Sequence, residues 1–223
     1  PMMAMKQDMI GFSFANAPAL VAPFGGAEAM LGTNPISIAL PAGRHDALVL
    51  DIATSVAAKG AIALAMKEKR DIPLGWALDK DGNPTTDAAA ANEGVLLPFG
   101  FHKGYALELI VSLLSFALSG ADMDINIPRF FECTDKEANV GYFMGCINIS
   151  KYCDVETFKA RVDGMFDLLK TCRPAIGSKG VLIPGEIEFG KTRMAMEEGI
   201  DLSDATLKDF KDMAATFGVE YTF

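Results

Sequence analysis

The chain has 223 residues, 50% hydrophobic and 22% charged, with a formal net charge of −9 and a pI near 4.7. That is the composition of an ordinary globular protein with a sizeable core, and its acidic balance argues against a nucleic-acid surface and against an anionic-membrane binder. The cysteines Cys133, Cys146, Cys153 and Cys172 form no C-x-x-C pair and have no histidine at ligand spacing, which argues against a zinc or other metal site.

"PMMAMKQDMIG" (1–11) reads as the end of a helix over 2–9 closed by Gly11, and a chain that opens inside a helix is expected to lack an N-terminal portion. "IGFSFAN" (10–16) is predicted as a strand ending at Asn16, followed by a loop over 17–35 punctuated by Pro18, Pro23, Gly25, Gly26, Gly32 and Pro35. "ISIALPA" (36–42) and "ALVLDIATS" (47–55) are strands flanking the turn "GRHD", and an antiparallel hairpin of 36–41 with 47–52 is the expected pairing. A helix follows from "VAAKG" through Arg70. Residues 71–101 are turn-rich with little periodic signal, and so long an irregular excursion inside a compact domain points to function.

The most apolar segment is a predicted helix over 103–119, closed by Gly120. Its polar residues Glu108, Ser112, Ser115 and Ser119 recur at steps of four, three and four, one stripe on a helix, and the apolar remainder is expected to be buried on most sides. The run is too short, and too interrupted by Glu108, to span a membrane. Beyond it come a polar loop (121–139), a strand (140–150), an amphipathic helix (155–172), a strand and turn (180–186) and two helices (188–199 and 203–218). Strands alternating with helices predict an α/β fold with a three-layer core around a mixed sheet. With no signal sequence and no disulfide pattern, the expected location is cytoplasmic.

Several chemistries are excluded by their missing motifs. No G-x-G-x-x-G follows a strand, and neither a phosphate-loop motif nor a G-x-S-x-G elbow is present. The histidines are His45, in the hairpin turn, and His102, which leaves a hydrolase triad or a histidine-based metal centre without ligands. What remains are polar residues at strand ends and loop junctions. Asp51, between "LVL" and "IATS", can accept from ligand hydroxyls or act as a helix cap or Asx turn. Lys103 opens a helix against its macrodipole, a penalty an anion bound to the lysine and the first amides would remove; the alternative is a solvated lysine. Gly100 and Gly104 leave room for a ligand to approach the backbone. Glu186 and Glu188 after the Pro-Gly turn can bind ribose hydroxyls or simply favour a helix N-terminus, and Asn16 is either a ligand contact or a turn residue.

Five segments, in this order and spacing, are "LGTNPISIALP" (31–41), "LVLDIATS" (48–55), "IPLGWALDKDGNPTTD" (72–87), "LLPFGFHKGYALEL" (96–109) and "IPGEIEF" (183–189). Together they resemble the malate/L-lactate dehydrogenase family of the second type, which includes ureidoglycolate, sulfolactate and diketogulonate oxidoreductases. The resemblance runs over essentially the whole chain. It implies an oxidoreductase that binds NAD or NADP on a non-Rossmann fold and interconverts a small 2-hydroxy acid, of malate or lactate type, with its 2-oxo acid. It also implies a homodimer whose neighbouring chain helps close the site. Carried over residue by residue, the cofactor contacts are the segment Ala47 to Ala53, including Leu50, Asp51, Ile52 and Ala53, then His102 with Lys103, then Ile187, Glu188 and Phe189, with Asn16 as a further polar contact.

The family's acid/base histidine and the serine and arginine near the substrate carboxylate lie N-terminal to the "MIG" strand, so no catalytic residue is assigned here. The resemblance therefore makes residues 1–223 a cofactor-binding domain with C-terminal helices, expected to be incompetent in turnover by itself. A second reading is a non-catalytic relative that keeps the fold; the retained Asp51 and Lys103 argue against it.

Overall fold

The computed structural model describes residues 1–129 and 135–221; Cys133 and the middle of the 121–139 loop lie outside them. The chain forms two compact units, Pro1–Gly185 and Glu186–Phe223. The first contains α1 (Met2–Met5), β1 (Met9–Ala15), β2 (Ile36–Leu40), β3 (Leu48–Ile52), α2 (Lys59–Lys67), β4 (Ala77–Leu78), α3 (Ala88–Glu93), β5 (Val95–Leu96), α4 (His102–Ser119), β6 (Tyr142–Asn148) and α5 (Val155–Lys170). The second contains α6 (Glu186–Glu198) and α7 (Asp204–Phe217).

Four strands make one sheet in the order β3-β2-β1-β6. Alternation in β2 and β3 and the short turn between them give the expected hairpin, with Ser37 opposite Asp51 and Ile36 opposite Ile52. The expected mixed sheet is corrected: every pairing between named strands is antiparallel. Parallel neighbours need a long crossover, usually helical, whereas β1, β2 and β3 follow one another without an intervening helix. Phe12, Phe14 and Phe143 stack on one face with ring centroids 5.7 to 5.9 Å apart. Gly145 opposite Phe12 leaves the room that ring occupies.

Helix α1 is shorter than the predicted 2–9, and Gly11 sits inside β1, where a Cβ would collide with the Pro1 carbonyl. The 36–52 hairpin is pinned to α5 at its tip. Asp163 accepts the amides of Gly43, Arg44 and His45, and Asp167 accepts from Arg44 Nη2 at 2.6 Å and pairs with His45 Nε2 at 2.7 Å. Those partners hold the Asp167 carboxyl below its usual range.

The 71–101 excursion carries more regular structure than its sequence signal predicts. Two-residue strands β4 and β5 pair there, too short for any periodicity to register, and α3 is capped by Asp87, which accepts from Ala89 N at 2.8 Å. These elements and α2 enclose a core of Val21, Ile62, Ala65, Ile72, Ala77, Ala88, Ala91 and Leu96. The predicted strand at 180–186 is absent; the segment runs as irregular backbone, with Pro184 O accepting Val49 N at 3.0 Å.

Helix α4 reverses the expected orientation. Its polar stripe faces inward, with Glu108 and Ser115 at 0% exposure, while Ile110 (51%) and Leu118 (69%) face solvent beside the exposed Leu107 and Leu113. The helix packs on β1 and β6, Ser112 donates to Asp124 on the turn that follows, and much of the apolar face is left open.

In the second unit, α6 begins at Glu186 with Glu186 and Glu188 in its first turn, where acidic residues favour the helix dipole. Helix α7 is capped by Ser203 Oγ, which accepts from Thr206 N at 3.2 Å, and ends at a left-handed Gly218.

Candidate functional site

A buried polar network joins the loop before β2, helix α4 and the turn after it. Asp124, 2% exposed, accepts four hydrogen bonds from neutral donors: Asn16 Nδ2 at 3.0 Å, Ser112 Oγ at 2.9 Å, Gly32 N at 2.9 Å and Asn34 Nδ2 at 2.7 Å. Asn34 Oδ1 accepts Ala17 N at 3.1 Å, so "GTNP" is held from both sides of its amide. The carboxyl of Glu108 lies in the same interior, and among the described residues neither of its oxygens has a hydrogen-bond partner. Burial, seconded by the Asp124 charge, pushes Glu108 up to about 8; the Thr54 hydroxyl acts weakly in the other direction.

This network supports two loops that open to solvent. The segment after β3 is stitched to the segment before α4: Phe99 N donates to Thr54 O at 3.0 Å, Val56 N donates to Leu97 O at 2.9 Å, and Ser55 bridges Pro98. Thr54 in turn donates its hydroxyl to the carbonyls of Thr33 and Asn34, both at 3.1 Å. Asp51, three residues before Thr54, and Lys103, four residues after Phe99, therefore flank one fixed junction. Both are exposed, and neither side chain has a hydrogen-bond or ion-pair partner among the described residues.

The start of α4 leaves open space at Gly100, while Gly104 is packed against the preceding turn. A Cβ at Gly104 would collide with the Phe99 carbonyl, and a Cβ at left-handed Gly100 would stand 4.0 Å from Gly104 N, over the first turn. Phe101, at the N-cap, has φ 56° and ψ −129° and gives no side-chain cap, and no acidic residue occupies the first turn. Lys103 N donates to Gly100 O at 3.3 Å and Tyr105 N to Phe101 O at 3.1 Å, which leaves the Lys103 ammonium and the remaining helix-start amides as a donor set suited to a phosphate, with Asp51 as an acceptor for hydroxyls.

The structure distributes the expected contacts as follows. Asp51, Ile52 and Ala53 are exposed at the end of β3, with Leu50 half-buried. Asp51 caps no helix: the N-cap of α2 is Ala58. His102 and Lys103 are exposed in the first turn of α4, with the His102 ring edge-on to Phe24 at 5.8 Å. The turn before α6 reaches β3, since left-handed Gly185 packs against Val49. Ile187, Glu188 and Phe189 belong to α6 in the second unit. Asn16 differs from the rest: it is buried, donating to Asp122 O at 2.8 Å and to Asp124 while accepting Gly141 N at 2.8 Å. Its amide is spent on the fold, as a support beneath the site.

Sequence reasoning missed Asp124, which no local pattern distinguishes. It noted Glu108, Ser112 and Asn34 only as parts of a stripe and of a motif. A polar stripe on an otherwise apolar helix was the available signal, since such a stripe must either meet water or find buried partners.

Residues 1–211 match the malate/L-lactate dehydrogenase family. Over 97% of this chain and 62% of the relative, the chain is 39% identical to the L-sulfolactate dehydrogenase of Methanocaldococcus jannaschii. The solved structure of the sulfolactate dehydrogenase from that organism superposes with a TM-score of 0.88, covering 98% of this chain and 62% of the other. A (2R)-3-sulfolactate dehydrogenase (NADP(+)) from Chromohalobacter salexigens is 32% identical over 95% of this chain and 61% of its own length. A ureidoglycolate dehydrogenase (NAD(+)) from Escherichia coli O157:H7 is 34% identical over 90% of this chain and 57% of its own length. The chain thus spans about three-fifths of the length of the curated relatives it matches.

Proposed function

The chain belongs to the malate/L-lactate dehydrogenase family, and from that premise we propose that it is the cofactor-binding part of an NAD(P)-dependent oxidoreductase of small 2-hydroxy acids. The observation that carries this reading is the Thr54–Phe99 junction, which ties the segment after an exposed Asp51 to the segment before an exposed Lys103, neither side chain having a partner among the described residues. A purely structural relative has no use for that pair of exposed charges. The antiparallel sheet, with no parallel pairing between named strands, is the support for a non-Rossmann way of holding the dinucleotide.

When bound, the nicotinamide cofactor accepts or delivers the hydride exchanged with the hydroxy acid. This chain's residues bind and orient it. The Lys103 side chain and the amides at the start of α4 that no carbonyl takes neutralise phosphate, Gly100 lets it come close, and Asp51 fixes hydroxyls by accepting their hydrogen bonds. Ile187, Glu188 and Phe189 of α6 are further cofactor contacts that the family resemblance implies. Asn16, Asn34 and Asp124 keep these loops in register from below.

Malate or lactate type substrates are the reading for the hydroxy acid; the sulfolactate and ureidoglycolate dehydrogenases among the relatives support the same class of 2-hydroxy acid. NAD and NADP each have a relative named for them. A homodimer accounts for the bare apolar face of α4. A cytoplasmic location is supported by the free thiols of Cys146, Cys153 and Cys172, and no helix among the described residues is long and apolar enough to cross a membrane. Titration with NADH and NADPH, followed by enhancement of their own fluorescence, tests the reading; a folded chain that binds neither would refute it.

A further inference from the structure

Beside the start of α4 lies a cavity of about 460 Å³, within the range of small-molecule sites. Its walls come from three loops and from Val56, and include Phe24, Leu74, Trp76, Leu97 and Phe101, with no ionisable side chain among the lining residues. The walls are fixed to one another: Leu97 N donates to Trp76 O at 3.0 Å, and Val56 N to Leu97 O at 2.9 Å. Gly25 and Gly75 on its rim are left-handed, and a Cβ on either would meet nothing within 4 Å, so the rim is open.

The aromatic groups are not covered by the protein. Phe24 is 53% exposed and Phe101 73% exposed, and Phe101 is held in a backbone conformation that side chains rarely adopt. The cavity is continuous with the helix start: Gly100 and Phe101 line it, His102 and Lys103 follow directly, and the His102 ring meets Phe24. Flat apolar walls next to a cation and uncapped amides match one kind of ligand, a planar ring joined to an anion by a short spacer.

The geometry points to this cavity as the seat of a heteroaromatic base carried on a ribose 5′-phosphate, the ring between Phe24, Trp76 and Phe101 and the phosphate at Lys103. This rests on the cofactor reading above and assigns residues that the sequence left out of it. Adenine and nicotinamide share this chemistry, and the two mononucleotides distinguish them.

Trp76 is the sole tryptophan of the chain, so its emission reports directly on the cavity. The chain is titrated separately with AMP, with nicotinamide mononucleotide and with NADH, following Trp76 emission and its quenching by acrylamide. The same titrations are run on Val56→Phe, which narrows the cavity from an exposed position, with its unfolding curve checked against the parent. The expected result is that at least one mononucleotide shifts the emission and shields Trp76 from acrylamide, and that Val56→Phe weakens that binding about tenfold or more. AMP acting alone assigns the adenine end, and nicotinamide mononucleotide alone the nicotinamide end; either supports the proposal. NADH that binds by its own fluorescence while Trp76 stays silent and equally open to acrylamide overturns the proposal and leaves the cofactor reading standing. No NADH binding at all overturns both. Should Val56→Phe fail to fold, the acrylamide measurement on the parent chain decides alone.

Discussion

The carboxyl of Glu108 is buried within the electrostatic reach of the buried Asp124 carboxylate, and the second charge helps to keep the first protonated. Asp124 accepts from four donors, whereas among the described residues neither carboxyl oxygen of Glu108 has a hydrogen-bond partner, so burial holds Glu108 in its neutral form. Through Asp124, Ser112 of α4 is joined to Asn16, Gly32 and Asn34 in one buried network.

Stability should fall as pH rises across this group's titration. Below its ordinary value of 4.5 Glu108 is protonated in both folded and unfolded chains and contributes no pH dependence. Between 4.5 and about 8 the folded chain holds a proton that the unfolded chain has released, so each unit of rising pH removes up to about 1.4 kcal/mol. Above about 8 both forms are ionised and the dependence levels off. Glu108→Gln, neutral at every pH, should flatten the curve of urea-unfolding free energy against pH in that window. A parent and a variant with parallel curves would contradict the assignment.

Asp124→Ala leaves the Asn16, Ser112, Gly32 and Asn34 donors buried without their acceptor. A loss of roughly 3 kcal/mol or more in urea unfolding is expected, because several buried groups lose a partner at once. A loss below about 1 kcal/mol would show that water replaces the carboxylate easily.

Two glycine substitutions should behave oppositely. Gly104→Ala must displace the Phe99 carbonyl, and is expected to cost roughly 1–3 kcal/mol. Gly60→Ala, in α2 with open space around its Cα, should be neutral or gain up to roughly 1 kcal/mol from helix propensity. Thermal unfolding of the two variants side by side checks the contrast, and similar shifts in both would argue that the α4 start is not tightly packed.

The apolar face of α4 predicts self-association. Ile110→Lys should convert a dimer to monomer in sedimentation at low concentration, since Ile110 is exposed in the single chain and the change costs that chain little. A parent chain that sediments as a monomer across the concentration range would remove α4 from consideration as an interface.

The parts of the fold governed by neighbours in sequence were legible. The β2–β3 hairpin follows from alternation and a short polar turn, and the end of α4 follows from a left-handed Gly120. Asp87 before four alanines was a readable helix cap that pattern-seeking over the long 71–101 stretch passed over. The facing of α4 was misread because a polar stripe usually marks the wet side, and its partner Asp124 comes after the helix, on a turn with no motif of its own. Asn16 was read as a ligand contact for a similar reason: its bonds run to residues more than a hundred positions away. Asp51 and Lys103 stood out because both carry charge where local structure gives no reason for it, but their shared junction through Thr54 and Phe99 appears only in the folded chain.

The most direct test of the central claim is NADH and NADPH binding by the parent chain and by Lys103→Ala, each with its unfolding curve. The account predicts that the parent enhances the fluorescence of at least one dinucleotide and that Lys103→Ala binds it at least about tenfold more weakly, a change of about 1.4 kcal/mol, at unchanged stability. A Lys103→Ala chain that binds as tightly as the parent would contradict it.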